Sequence, residues 1–584
     1  MGSSVSTDLL SKAQIPFELL SATGLDGILW PKQTTLQDNA SYDYIVVGGG
    51  SAGSVVSRRL AEDKNDTVLV LEHGGNPPVS AMIVSLFFIL PHSFVDHNYT
   101  STRDEYAARS QNNYTMITAG KMLGGSDSLN HVIHTRGPAS DYDCWARLAK
   151  DKSWKYENIL PYFKKSEKVD DVEILSQYGE FHGTGGHMGL SRQPEKEVVD
   201  LLKSFAEVGN PTVLDLNADK YVGYTQPQFM FANKKRQTPG YVYLKPVKDN
   251  PNFHVSKHTR VTKIIFEDNV AVAVQAFHKG KIYTLRAKKE IILSAGVFNT
   301  PQLLMLSGIG PKEHLESFNI KVLKDLPVGD NMVDHVSVTV GYKLKKYPIP
   351  IPNLPAAALD LLRIPFPALI GLVALNKSET CPDYQTFNLF FPHDLPYLTF
   401  ACATVFGIRH EICDRWQKQV KGSDSLYTLI ALLQPKSRGT VRLGSTNPFA
   451  DTIIKTGYYT DKDDLREMIK IVKDYVTVDD TEYFRKIGAE LVGLDLPECA
   501  GKEKGSDEFW ECYILEHTCS SFHFAGTCPM GKVVDGKLRV RGVKRLRIVD
   551  ASVMPQIPRA APNAAIIMLA EKASDMIRNS NKNC

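Results

Sequence analysis

Residues Tyr42 to Gly75 read YDYIVVGGGSAGSVVSRRLAEDKNDTVLVLEHGG, and the reading of this stretch decides the fold. Tyr44 to Val47 is a short apolar, β-branched run of the kind buried on both faces in a parallel sheet. It passes directly into Gly48-Gly49-Gly50-Ser51-Ala52-Gly53, a G-x-G-x-x-G turn. Helical spacing follows over Val55 to Glu62, and a second apolar run, Thr67 to Leu71, ends at Glu72. The unit is β-α-β. Gly48 makes the tight turn, Gly50 lets the backbone approach a pyrophosphate, and Gly53 lets helix and strand pack closely. Ser51 and Ala52 stand with them where the helix begins and its free N–H groups and positive dipole end meet the phosphates. Glu72, nineteen residues past Gly53, is placed to accept both hydroxyls of an adenosine ribose and would repel a 2′-phosphate. The glycine pattern alone is often no more than a turn; the strand, helix and acid around it specify a dinucleotide site.

At 584 residues the chain exceeds a single compact core, so two or more domains are expected. Hydrophobic content of 43% with 23% charged residues is that of a soluble globular protein. A net charge of +3 leaves no basic footprint, so nucleic acid is not an expected partner. The nine cysteines are scattered without a C-x-x-C pair, and His131 with His134 lack a third ligand, so no metal site is expected. Cys499 and Cys512 either close a short loop or remain buried thiols. Met1 to Ser6 fits a myristoylation pattern without the basic cluster of a second anchor, and there is no convincing signal peptide. Sequons at Asn39, Asn65, Asn98, Asn113 and Asn376 keep secretion open beside a cytoplasmic location. Val79 to Pro91 and Ile364 to Leu375 are apolar but shorter than the ~20 residues of a spanning helix. No transmembrane segment is expected; these stretches read as the buried lining of a cavity.

A second glycine-rich loop, Gly120-Lys-Met-Leu-Gly124-Gly125-Ser126-Asp127-Ser128-Leu129-Asn130, lacks the G-K-[ST] order of a nucleotide-triphosphate loop. Taken with the first unit, it resembles the glucose–methanol–choline (GMC) flavoprotein oxidoreductases. Further stretches agree in order: IILSAGVFNTPQLLMLSGIG (Ile291 to Gly310), PVGDNMVDH (Pro327 to His335) and QPKSRGTVRL (Gln434 to Leu443), which resembles the start of the family's substrate-domain sheet. The end resembles the family's catalytic C-terminus, from HFAGTCPMG (His523 to Gly531) through LRIVDASVMP (Leu546 to Pro555) to the apolar run opened by Asn563. The resemblance covers about Tyr42 to Ile577.

The resemblance implies FAD, and an α/β plus α+β architecture. A Rossmann-like FAD domain would be assembled from discontinuous segments, 42–335 and 519–580, after an extension over 1–41. A substrate domain built on an antiparallel sheet with helices would be inserted at 336–518, with some of its segments near 190–235. By position, Gly48, Gly50, Gly53 and Glu72 would contact ADP, and Val261 adenine. Gly124, Gly125, Ser126 and Asn130 would lie along pyrophosphate and flavin, and Asp550 along the ribitol. Leu129 stands where some members attach FAD through histidine, so the cofactor is expected to be non-covalent. His523 matches the catalytic histidine, the base for an alcohol proton. Asn563 matches its partner, which can hydrogen-bond the developing alkoxide, and could equally be a helix cap.

Several positions depart from the family pattern: Asp127 for a small hydroxyl residue, His97 and His134 for aromatics, and Arg559-Ala-Ala-Pro562 for a glycine–asparagine turn. The first three are expected around the flavin or its entrance. DEFWEC (Asp507 to Cys512) with Cys499 is similar to the family's insect branch, which contains ecdysone oxidases and glucose dehydrogenases. Cys381 to Gln385 with Phe390, Phe391, Phe400 and Phe406 would line an apolar substrate side, or simply be core. The expected function is oxidation of an alcohol CH–OH by an FAD alcohol oxidase, with an ecdysteroid substrate and oxygen reduced to hydrogen peroxide. The alternatives are a glucose or other alcohol dehydrogenase using a quinone or dye acceptor, and an inactive flavin-binding protein.

Overall fold

A computed structural model describes residues 26–195, 198–345, 368–391, 393 and 397–582. The Met1 to Ser6 pattern and the first residues of the Ile364 to Leu375 stretch lie outside the described residues. Around the glycine turn, strand β1 (Ser41–Val47) enters, helix α1 (Ser51–Leu60) leaves, and β2 (Val68–Leu71) returns parallel to β1 with Val70 opposite Val46. Tyr44 to Val47 and all of β2 are buried, which is why neither run alternates with polar residues.

The seven-stranded sheet around this unit runs Phe253–Ser256, β2, β1, Lys281–Leu293, Val270–His278 and Thr259–Glu267, with Leu546–Ile548 also pairing Lys281–Leu293. Pairing is parallel from Phe253–Ser256 to Lys281–Leu293 and at Leu546–Ile548, and antiparallel through the Thr259–Leu293 meander. Remote parts of the chain thus complete one dinucleotide-type sheet. Helix α2 (Asn563–Lys582) lies parallel beside α1. Arg59 donates from Nε and Nη2 to the Glu571 carboxylate, both at 2.8 Å, and each residue stands at the same distance from its helix start.

The second seven-stranded sheet is antiparallel. Its order is Ala489–Val492, Val336–Leu344, Asp424–Leu432, Tyr384–Phe391, Ala368–Val373 and Gly223–Thr225, with Thr518–Ser520 also pairing Val336–Leu344. Tyr384–Phe391 is buried along its whole length. One face is covered by helix Lys462–Val476, whose Tyr475 hydroxyl donates to Asn388 Oδ1 at 3.0 Å, and the other faces a cleft. A sheet covered on both faces loses the polar alternation of a solvated one.

Gln434 to Leu443, expected to begin this sheet, does not join it. Thr440–Leu443 pairs only with Thr452–Lys455, because Gly439 is held by the Met332 backbone through N–H···O bonds of 2.8 and 3.1 Å. Val79 to Pro91 is a helical turn and a 3₁₀ segment, with Ala81, Val84, Phe87, Phe88 and Leu90 buried. Among the described residues no helix is long and apolar enough to cross a membrane. Cys499 and Cys512 form a disulfide, and Cys402–Cys413, which had not been foreseen, forms a second.

Candidate active site

A single cleft of about 2220 Å³, including the space open to solvent, is walled by the carboxyl ends of β1 and β2 and by one face of the second sheet. Ser51, which opens α1, and Asn563, which opens α2, both lie on its wall, so two helix N-termini meet there.

At the β1–α1 end the glycines divide their work. Gly48 has φ +101°, and a Cβ there would sit 2.3 Å from the Ser294 carbonyl oxygen. A Cβ on Gly53 would come within 1.9 Å of the Gly48 oxygen, so Gly53 packs helix against turn and lies behind the wall. Gly124 likewise lies behind it, its N–H donating to Gly49 O at 2.8 Å. At Gly50 the nearest atom to an added Cβ is Gly125 Cα, 3.7 Å away. The protein leaves that space to the cleft, as a backbone that must approach a pyrophosphate requires. Glu72 is buried, accepts from Gly49 N–H at 2.8 Å and Gly74 N–H at 2.7 Å, and is pushed up to about 7 by burial against those two bonds. Ala52, Gly125, Ser126, Asn130 and Val261 complete this wall. Asp550 is on the wall too. Its carboxylate accepts from Gly296 N–H (2.9 Å) and Thr300 Oγ1 (2.6 Å), holding the start of the Gly296–Leu306 helix.

Asp127 is buried in the cleft wall with Oδ2 unpartnered among the described residues. Burial pushes it up to about 6, opposed by the Ser51 side chain and the Arg236 charge. Arg236 is fully buried and donates to Asn130 O and Oδ1 at 2.6 and 2.9 Å; burial lowers it to about 9.

At the other end, His523 Nδ1 lies 2.9 Å from His335 Nδ1. Burial, with His335 and His131 adding to it, holds His523 well below the ordinary histidine value, and burial lowers His335 to about 3. Two neutral rings facing through like nitrogens must share one proton. The shared proton lies on one Nδ1 or the other, and His335 Nε2 has no hydrogen-bond partner among the described residues. With the proton on His523 Nδ1, His335 Nδ1 accepts it and His523 Nε2 keeps its lone pair. Asp334 accepts from His523 N–H at 2.8 Å, and from Tyr458 and Ser520 hydroxyls; burial pushes it up to about 6. Phe522, just before the histidine, has φ +60°, a left-handed conformation rare for a bulky residue. Asn563 donates from Nδ2 to Ile133 O at 3.1 Å and to Met230 Sδ at 3.2 Å, and its Oδ1 accepts from Ala564 N–H at 2.9 Å.

The GMC oxidoreductase family matches over residues 42–337 and again over 435–570. The chain belongs to the GMC oxidoreductases. It is 35% identical to ecdysone oxidase of Bombyx mori, over 99% of this chain and 87% of that protein. It is 31% identical to glucose dehydrogenase [FAD, quinone] of Drosophila melanogaster, over 92% and 87%. Pyridoxine 4-oxidase from Mesorbium loti shares the fold, with a TM-score of 0.77 at 24% identity over 92% of this chain and 99% of that one. Membership in the family brings FAD-dependent oxidoreductase chemistry, and the open space at Gly50 under the α1 N-terminus fits the cofactor.

Among the residues singled out from the sequence, Gly48, Gly50, Ser51, Ala52, Glu72, Gly125, Ser126, Asn130, Val261, Asp550, His523 and Asn563 share this one GMC cleft. Of the departures, Asp127 and His97 line it, while His134 is turned away to Glu167 at 3.2 Å. His131 is on the wall, packed edge-on to Phe87, so the two histidines face different surroundings. On the substrate side Gln385 and Phe406 line the cleft, but Cys381, Phe390 and Phe391 do not; Phe400 carries no described side chain. Asp334 and His335 were visible only as letters of a motif. The signal was a buried-type acid and histidine immediately ahead of the strand Val336–Leu344.

Proposed function

We propose that the chain oxidises the CH–OH group of a bulky, largely apolar alcohol to a carbonyl, with His523 as the base and an ecdysteroid as the substrate class. The observation that carries this reading is His523, paired with His335, on the wall of a cleft also lined by the apolar Phe387, Leu429, Ala431, Val405, Phe406 and Phe522. A sugar would bring several hydroxyls to groups that cannot satisfy them. The 35% identity to an ecdysone oxidase over nearly the whole chain supports the same class.

In this reading His523 Nε2 takes the hydroxyl proton as the carbinol carbon gives up hydride. When bound, FAD supplies the hydride acceptor and passes the electrons to oxygen, giving hydrogen peroxide. His335 holds the imidazole of His523 in the tautomer that can accept, and Asp334 fixes the backbone that carries it. The second N–H of Asn563, now on the weak acceptor Met230 Sδ, would turn to the substrate oxygen as negative charge grows there. The apolar wall excludes water from that oxygen. Leu129 offers no atom for a covalent tether, which supports a non-covalent cofactor. The two disulfides favour work in an oxidising compartment.

The test is anaerobic mixing of the FAD-loaded protein with ecdysone or, separately, glucose, followed by admission of air. Bleaching of the flavin by ecdysone and rapid recovery with peroxide is expected. Bleaching by glucose alone, with slow recovery in air, would replace this reading with a sugar dehydrogenase.

A further inference from the structure

Where Tyr384–Phe391 and Asp424–Leu432 line the cleft, one of their side chains there is polar. Side chains alternate along Tyr384–Phe391, so Gln385 and Phe387 share a face, opposite Ala431 and Leu429 of the neighbouring strand. All four line the cleft, and three are apolar. Gln385 is only 7% exposed, and its Oε1 has no hydrogen-bond partner among the described residues. Behind the same strand, Thr386 and Asn388 are joined to Thr428 and Tyr475 in a bonded network. This strand therefore satisfies the polar groups that it buries away from the cleft. A buried amide oxygen left without a donor costs folding free energy, and a native chain that keeps one needs a reason. Here the reason lies in what enters the cleft.

The register gives the position of that oxygen relative to the chemistry. Cys519, Ser337, Ala431 and Gln385 stand in one row across the sheet. Gln385 is three strand spacings, roughly 14 Å, from the strand that leads into His523. Between them stand Ala431 and Ser337, whose hydroxyl is already bonded to His335 O and the Ser521 hydroxyl. The geometry points to Gln385 as a specificity-determining residue, which receives a hydroxyl on the end of the substrate remote from the carbinol that His523 deprotonates. An acceptor oxygen demands a donor; with the amide turned over, the position offers an N–H, and a hydroxyl satisfies either. The substrate class is then a long, rigid, apolar alcohol with a second hydroxyl at its far end. A monosaccharide is too short to reach both ends. This deepens the proposed function and rests on it for the identity of the reacting end.

The test uses ligands that cannot be oxidised at the reacting end. The affinities of 5α-androstan-3-one and 17β-hydroxy-5α-androstan-3-one, identical but for the remote hydroxyl, are measured on the FAD-loaded protein through the perturbed flavin absorbance. The wild type should bind the hydroxy-ketone at least about tenfold more tightly. Gln385→Leu should erase that preference while holding the plain ketone within about twofold. Bound flavin per chain and the plain-ketone affinity report on the fold, and Gln385→Met serves as a second variant if the leucine chain fails to fold. Equal affinities in the wild type, a preference that survives both variants, or no binding of either ketone overturns the assignment. The matching 3β-alcohols are then mixed anaerobically. If the ketones discriminate through Gln385 but neither alcohol bleaches the flavin, the oxidation reading falls and the Gln385 subsite stands.

Discussion

The pair His523 and His335 governs how the site should respond to pH and to substitution. His523 is held well below its ordinary value by burial and by His335 and His131. A lowered pKa means that the neutral base persists as pH falls, so flavin reduction should stay flat from about pH 8 down through the usual histidine range near 6.5. Stopped-flow reduction rates across that interval check this; a fall to half near pH 6.5 would contradict it. His335→Phe removes the ring nitrogen that pairs with His523 Nδ1. The reduction rate should drop about 10²-fold, toward the lower end of what a positioned base contributes, with FAD retained. Asp127 makes a separate prediction. Its carboxylate sits against Ser51 at the start of α1, the place a pyrophosphate would take, and burial pushes it up to about 6. Protonation removes its repulsion of the phosphates, so FAD affinity should rise as pH falls from 8 to 6. Asp127→Ser should bind FAD about tenfold more tightly at pH 8, one unit of pKa being about 1.4 kcal/mol, and should flatten the pH dependence in a cofactor titration.

At the scale of elements, a buried charge cluster holds residues 130–137. Arg136 donates to Glu167 from Nε at 2.9 Å and from Nη2 at 2.6 and 2.5 Å. His182 bridges Glu167 at 3.3 Å to Asp215 at 2.7 Å. Burial alone would favour neutral Glu167, but the Arg136 guanidinium, with His134 and His182, holds it well below the usual carboxylate range. Glu167→Gln leaves a buried guanidinium without its counter-charge. It should cost about 3–5 kcal/mol in denaturant unfolding, more than an exposed pair such as Lys203–Asp200 could account for. The same segment supplies Ile133 O to Asn563 and Thr135 Oγ1 to Ala561 N–H, so the altered turn Arg559 to Pro562 is anchored rather than loose. Asp141 completes that anchor by accepting from Arg559 N–H at 2.6 Å.

For the whole molecule, both disulfides belong to the half built on the second sheet, one tying down the helix His410–Gln419 through Cys413 and one the helix Asp507–His517 through Cys512. Each closes a short loop, for which chain entropy implies about 3 kcal/mol. Cys499→Ser with Cys512→Ser should therefore lower the melting temperature by several degrees while leaving the visible spectrum of bound FAD unchanged, as a thermal scan beside a flavin spectrum would show. The extent to which the sequence foretold this protein follows the range of the forces involved. The β1–α1–β2 unit, the burial of its strands and the places of Gly48, Gly50 and Glu72 were legible because they depend on neighbours along the chain. The motif order carried His523 and Asn563 to a common cleft. The sequence could not reveal that Gly124 packs behind the wall, that His134 turns to Glu167, or that Gln434 to Leu443 leaves the second sheet. Nor could it show that His335 meets His523, or that Gln385 lines the cleft with an unpartnered amide oxygen. Local periodicity and turn chemistry are written residue by residue, so the sequence by itself determined the cofactor unit. Contacts between strands and rings hundreds of residues apart are settled only when the sheets pair and pack, so the tertiary structure alone decided the partner of the base and the lining of the substrate wall.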